Sequence, residues 1–124
     1  MAEKFQVYKC EVCGNIVEVL HGGRGDLVCC GQPMVLCAEN TTDAAQEKHV
    51  PVVDTAGDQV LVKVGSVPHP MADEHYIEWV EVMVGDKMIR HDLKPGDQPE
   101  ASFSPGGDVR VARAYCNLHG LWKS

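Results

Sequence analysis

The sequence lacks any run of apolar residues approaching the roughly 18 that a membrane-spanning helix requires. It also lacks a secretory leader, since Met1-Ala2-Glu3-Lys4-Phe5-Gln6 offers neither an apolar core nor a cleavage site; this argues against secretion. There is no internal repeat, no low-complexity tract and no amphipathic helical pattern longer than a turn. Positive charge is scarce as well. Eleven Lys and Arg stand against 18 Asp and Glu, the net charge is -7 and the pI about 5.2, and the basic residues are scattered. Nucleic-acid binding rests on concentrated positive charge, so that class of partner is excluded. An anionic substrate would have to be drawn in by a local positive field rather than by the whole molecule.

What the chain does have is cysteine, histidine and short β-type runs. Six cysteines in an intracellular protein of 124 residues point to metal or redox chemistry rather than disulfides. Residues 1–37 are dense in Cys and Gly, with strand-like runs at Phe5–Lys9 and Ile16–Leu20. A piece this short buries too little apolar surface to fold unaided, and a metal would supply the missing stability. Glu39-Asn40-Thr41-Thr42-Asp43 reads as a linker, and Ala44-Ala45-Gln46 as a helical turn capped by Thr42 or Asp43. Residues 38–124 read as a second, β-rich domain. Strands are expected at Gln59–Val64, Tyr76–Val84, Lys87–Leu93 and Asp108–Tyr115, with turns at Gly65-Ser66, Gly85-Asp86 and Lys94-Pro95-Gly96-Asp97. Short strands with Gly and Pro turns at this spacing suggest an antiparallel sandwich.

Two metal sites can be read from residue types. Cys10-x-x-Cys13-Gly14 is a knuckle that points two sulfurs at one ion, and Cys29-Cys30-Gly31 supplies a second, unspaced pair. Four thiolates select zinc or iron. Cys37 is left over, read as a small buried hydrophobe or a free thiol. The second set combines Cys116-x-x-His119 with three histidines far upstream, His49, His69 and His75. His69 lies between two prolines and cannot be helical, so the His69–His75 spacing belongs to a loop. Four imidazoles and a thiolate are one ligand too many for tetrahedral zinc; they suit a five-coordinate iron with one position left for chemistry. Lys48, directly before His49, would attract and hydrogen-bond a small anion, and Glu47 is placed to fill the vacant position when the iron is oxidised. His21 and His91 are expected to be solvent or packing residues.

These motifs closely resemble those of the desulfoferrodoxin family. The resemblance rests on Tyr8-Lys9-Cys10-x-x-Cys13-Gly14-Asn15, Cys29-Cys30, Glu47-Lys48-His49-Val50-Pro51-Val52, His69-Pro70-Met71, His75-Tyr76-Ile77-x-Trp79, Lys94-Pro95-Gly96 and Cys116-Asn117-x-His119-Gly120-x-Trp122, and covers essentially the whole chain. It implies a mainly β protein: a desulforedoxin-like module over residues 1–37, then an immunoglobulin-like antiparallel β-sandwich over 38–124. It implies two irons per chain, the first on Cys10, Cys13, Cys29 and Cys30, the second with His49, His69, His75 and His119 in a plane and Cys116 axial. It further implies one-electron reduction of superoxide to hydrogen peroxide without release of dioxygen. Glu47 would be the sixth ligand of the ferric state and Lys48 the steering cation. A rubredoxin-like electron donor, a homodimer and a cytoplasmic location complete the implied picture. Family members often carry His where Leu121 stands, and Cys37 has no counterpart in the pattern. The competing readings are a rubredoxin-like electron carrier without catalysis, a zinc-binding interaction module, and a dismutase.

Overall fold

In the computed structural model, residues 2–41 and 48–124 are described. The expected helical turn at Ala44–Gln46 and the residue Glu47 fall outside them. The chain divides into two compact units, Met1–Cys37 and Ala38–Ser124. Among the described residues every regular element is a strand, and no helix is long and apolar enough to cross a membrane.

The first unit is built from five very short strands: β1 (Val7–Lys9), β2 (Ile16–Glu18), β3 (Val28–Cys29), β4 (Gln32–Pro33) and β5 (Val35–Leu36). β1 pairs antiparallel with β2 and β5, and β3 with β4 as a two-stranded ribbon. Both expected strands here are shorter than their apolar runs. Phe5 turns the chain with a φ of +74°, so β1 starts only at Val7, and Leu20 beyond β2 is exposed. Among the described residues of this unit, the buried apolar ones are Val7, Cys10 and Val19. A core of that size is too small to hold the fold by itself, and the cysteine cluster below occupies the place of one.

The second unit is a seven-stranded, immunoglobulin-like sandwich. One sheet has the order β10-β7-β6, from Glu100–Phe103, Gln59–Val64 and Pro51–Ala56. The other has the order β12-β11-β8-β9, from Gly120–Lys123, Val109–Cys116, Ile77–Val84 and Lys87–Asp92. All these pairings are antiparallel. Period-two alternation puts Val60, Val62 and Val64 of β7 against Val80, Val82 and Val84 of β8 and Ala112 and Ala114 of β11, with Ala101 and Phe103 of β10 closing the core. The alanines of β11 let the sheets approach where the valines of β7 and β8 fill the space.

The other face of the four-stranded sheet is not simply solvated. Glu81 of β8 is 0 % exposed and Arg113 of β11 is 2 % exposed, and the two are directly paired across the strands. Arg113 donates from Nε (3.1 Å) and Nη2 (2.8 Å) to Glu81 Oε1, and from Nη1 to Glu39 Oε2 at 3.2 Å. Beside them Trp79 and Tyr115 stack at 4.6 Å with nearly parallel rings.

Two expectations are corrected. Glu39-Asn40 is not a free linker. Asn40 bridges to Trp122 in parallel fashion, accepting from Lys123 N–H and donating both its own N–H and its side-chain amide to the Leu121 carbonyl. Tyr76 is not part of β8, because its N–H is taken by the Asn117 side chain instead of a ladder partner.

Candidate metal centres

At the first centre, the sulfurs of Cys10, Cys13, Cys29 and Cys30 lie within 4.8 Å of one another. Adjacent residues of a strand point to opposite faces, so an unspaced pair cannot ordinarily share an ion. The chain resolves this by leaving β3 after Cys29. Cys30 adopts a φ of +54° and Gly31 one of +75°, which swings the Cys30 sulfur to 3.9 Å from that of Cys29. Cys13 Sγ is 3.6 Å from Cys29 Sγ. Both spacings bracket the roughly 3.8 Å edge of a tetrahedron of sulfurs at about 2.3 Å from a metal.

The knuckle turn is closed by Gly14 N–H to the Cys10 carbonyl (2.9 Å) and by Cys10 N–H to the Asn15 carbonyl (2.8 Å). Asn15 Nδ2 also reaches Cys29 Sγ at 3.8 Å. The thiols do not share charge evenly. The Cys13 N–H beside Cys10 brings its thiol down to about 6, while the neighbouring thiol of Cys13 pushes Cys30 up to about 12. Piling thiolates onto one point is opposed until a cation neutralises them, which fits a metal centre without an open position.

The second centre sits at one end of the sandwich, where both sheets deliver side chains. His49 precedes β6, His69 follows β7, His75 precedes β8, Cys116 closes β11, and His119 lies in the turn to β12. The four rings form a closed circuit, each set edge-on to the next. Centroid separations are 4.8 Å for His49–His69, 4.7 Å for His69–His75, 5.0 Å for His75–His119 and 4.8 Å for His49–His119. The diagonal His49–His75 is 6.5 Å, close to that of a square with such sides.

His49 Nε2 and His119 Nδ1 are 3.1 Å apart, near the roughly 3.0 Å expected for neighbouring nitrogens at about 2.1 Å from one metal. The donor atoms of His49, His75, Cys116 and His119 lie within 4.8 Å of one another. His69 stands outside that tightest group, yet its ring completes the square. Its Nδ1 lies 2.7 Å from the Pro70 carbonyl, while its Nε2, like that of His75, is buried with no hydrogen-bond partner. Two orphaned ring nitrogens beside a buried thiol are a donor set that a cation would satisfy.

Cys116 is wholly buried and its Sγ lies 3.6 Å from His119 Nδ1. Burial pushes the thiol up, and the backbone N–H groups of Leu118 and His119 offset part of that. Trp122, quoted above only as part of a motif, stacks on His49 at 4.7 Å and 19°, and its Nε1 donates to the His119 carbonyl at 3.1 Å. Nothing in residue type or spacing announces that contact, because it depends on β12 folding back on β11. Lys48 is exposed, and its charge is felt at His75. His21 and His91 are exposed and belong to neither cluster, His91 lying edge-on to Phe103. Cys37 is half-buried and also belongs to neither.

Residues 2–37 match the desulfoferrodoxin N-terminal domain and residues 41–124 the desulfoferrodoxin domain. The chain belongs to the desulfoferrodoxin family. It is 60 % identical over 124 residues to the desulfoferrodoxin of Syntrophotalea carbinolica, covering all of this chain and 98 % of that one. It is 61 % identical over 124 residues to a desulfoferrodoxin homolog of Archaeoglobus fulgidus, covering 100 % and 99 %. Among solved structures, the superoxide reductase from Treponema pallidum superposes with a TM-score of 0.82 at 30 % identity, covering 99 % of each chain. The four-cysteine cluster and the His/Cys cluster match the two iron centres of a desulfoferrodoxin, and the chain carries two iron ions.

The imidazoles of the second centre carry a pH signature. Burial holds His69 down to about 4 and lowers His75 as well. In the unfolded chain both sit near 6.5. Above that value folded and unfolded forms are both neutral, and stability is unaffected. As pH falls from about 6.5 through about 4, the unfolded chain takes up protons that folded His69 refuses, and stability is progressively lost. Chelator-stripped protein is therefore expected to show a falling denaturation midpoint across this window. The variant His69→Gln should flatten the slope; an equally steep fall in the variant would refute the assignment to His69.

Proposed function

We propose that Cys10, Cys13, Cys29 and Cys30 of residues 1–37 hold a first, electron-relaying iron. On the same reading, His49, His69, His75, His119 and Cys116 would hold the catalytic iron of residues 38–124. The chain is a superoxide reductase. The observation that carries this reading is the square of four rings with the buried Cys116, whose sulfur lies within 4.8 Å of donor nitrogens of His49, His75 and His119. Iron bound there would supply a one-electron reductant able to take a small anion.

The protein's own groups do the rest. Cys116, once ionised, would hold the iron as a strongly donating thiolate and favour release of product. Imidazoles bind a metal as neutral donors, so they would add no charge and would keep the divalent state accessible. Superoxide takes up one electron and two protons and leaves as hydrogen peroxide. Lys48 draws the anion in against a chain of net charge -7. Glu47 would act later, as a ligand to the iron once it is oxidised.

A rubredoxin-like protein restores the electron, the active form is a homodimer, and the protein works in the cytoplasm. An electron carrier would need only the four-cysteine unit and would give the histidine square no role.

The test is metal analysis together with product analysis. Two irons per chain, a coloured reducible protein and hydrogen peroxide formed without dioxygen are expected. Zinc in a colourless protein, or dioxygen evolved in proportion to superoxide consumed, would overturn the reading.

Lys48 can be separated from the chemistry. Lys48→Ile should slow the second-order encounter with superoxide by about tenfold, and the wild-type rate should fall more steeply with added salt. Glu47→Ala should instead alter the ferric spectrum and product release. Pulse radiolysis at two ionic strengths decides between them. An unchanged encounter rate in Lys48→Ile would remove its steering role.

A further inference from the structure

The β8–β11 ladder does not run cleanly to the second centre. Its register shifts between Tyr115, opposite Trp79, and Cys116, opposite Ile77. Past this irregularity the ladder is replaced by one residue, Asn117, which makes three hydrogen bonds to the segment carrying His75. Its backbone N–H donates to the Tyr76 carbonyl at 3.2 Å. Its side-chain Oδ1 accepts from the Tyr76 N–H at 2.9 Å, and its Nδ2 donates to the Glu74 carbonyl at 3.1 Å.

The two side-chain bonds are placed with consequence. The Glu74 carbonyl belongs to the peptide before His75, and the Tyr76 N–H to the peptide after it. With both flanking peptides gripped, the two backbone torsions of His75 are set, and so is the direction of its Cα–Cβ bond. A carboxamide can do this because it carries an acceptor and a donor on one planar group. The other side of the loop is already closed, by the paired Ala72 and His75 bonds of 3.0 and 3.1 Å. His75 Nε2 has no protein partner of its own. What aims the ring is therefore the backbone, and the two peptides that set it are held by Ala72 on one side and by Asn117 on the other.

We infer that Asn117 is a positioning residue: its side chain clamps the peptides on both sides of His75, and because it follows Cys116 directly, it sets the imidazole of His75 against the Cys116 sulfur. The inference rests on the reading of the second iron centre and adds a residue that touches neither iron nor substrate. Partners that orient a ligand in this way typically account for ten- to a hundredfold in metal retention.

The experiment uses the full chain loaded with iron at both centres, where the four-cysteine centre of the same molecule is an internal reference. Asn117→Ala is expected to release the second iron to a chelator at least about tenfold faster, with the sulfur-to-iron absorption band displaced or weakened. Release from the first centre should be unchanged. A residue that merely stabilised the fold would lower the denaturation midpoint of chelator-stripped protein without moving the band. Asn117→Asp keeps the acceptor for Tyr76 N–H but loses the donor to Glu74, and should release iron at an intermediate rate. It remains a test if the alanine variant does not fold. Release and band both unchanged in Asn117→Ala, or Asn117→Asp indistinguishable from wild type, would overturn the clamp. Wild-type protein that binds no iron at the histidines would instead remove the centre itself, so the two failures are distinguishable.

Discussion

Cys116→Ser is expected to abolish superoxide reduction even in protein that still carries iron at the second centre. The wild-type thiol is fully buried and its proton is held more tightly than usual, so it ionises only when a cation arrives beside it. The N–H groups of Leu118 and His119 then stabilise the thiolate without quenching its donation. A serine hydroxyl in the same pocket would face the same burial with a far higher intrinsic pKa. Whether it bound as alcohol or alkoxide, it would be a harder, weaker donor. The square of imidazoles is untouched by the change, so iron can be retained while turnover is lost. Stopped-flow reduction of superoxide by iron-loaded Cys116→Ser measures this directly. A rate equal to wild type would show that the sulfur is not a ligand.

The second large effect is on stability, and it lies on the opposite face of the same strands. Glu81→Ala should destabilise the sandwich by roughly 3–5 kcal/mol, because it leaves the buried Arg113 guanidinium without the carboxylate that receives its Nε and Nη2. Glu39 is part-exposed and cannot compensate for both lost bonds. Replacing both partners by apolar residues of similar length, Glu81→Met with Arg113→Met, should recover most of the loss, since no charge is then buried. Both tryptophans, Trp79 and Trp122, belong to this unit, so intrinsic fluorescence during guanidinium unfolding follows it selectively. A single Glu81→Ala variant as stable as wild type would show that the pair contributes nothing.

Neither the pair nor its burial was visible in the sequence. Glu81 and Arg113 occupy positions of strand alternation that look like a polar outer face, and only the cross-strand register makes them neighbours. Strands bounded by strong turns were legible: Gln59–Val64 was read at its observed limits, and the hairpin through Gly85-Asp86 joins β8 to β9. Strands without such punctuation were not. Pro51–Ala56 carries Asp54 and Thr55 near its end and shows no clean alternation, and Glu100–Phe103 and Gly120–Lys123 are four residues each. Their pairing is decided by strand partners, as far away in sequence as Val60 is from Phe103, and by the core.

The candidate site shows the same division. The ligand types could be listed from the chain alone, because Cys and His in such company have few other uses. Their arrangement could not. That Cys29 and Cys30 share one point depends on the positive φ of Cys30, and that four rings make a square depends on the ends of both sheets. Asn40 was misread for a related reason: its composition is that of a linker, and its docking on Leu121 and Lys123 exists only once β12 has formed.

The proposed His/Cys ligands come from both sheets at one pole of the sandwich and reach from His49 to Cys116 and His119. Topologically, a bound ion turns an open chain into a set of closed rings, as a cross-link would, and rings of this length carry an entropic advantage of roughly 4 kcal/mol. The opposite pole, with the Gly57-Asp58 hairpin and the Pro105-Gly106-Gly107 connection, has no such fastening. The sandwich is therefore hinged at one end and free at the other. Amide exchange and proteolytic nicking should start at the unfastened pole and progress toward the ion, so the part of the molecule that meets superoxide is also the last to open.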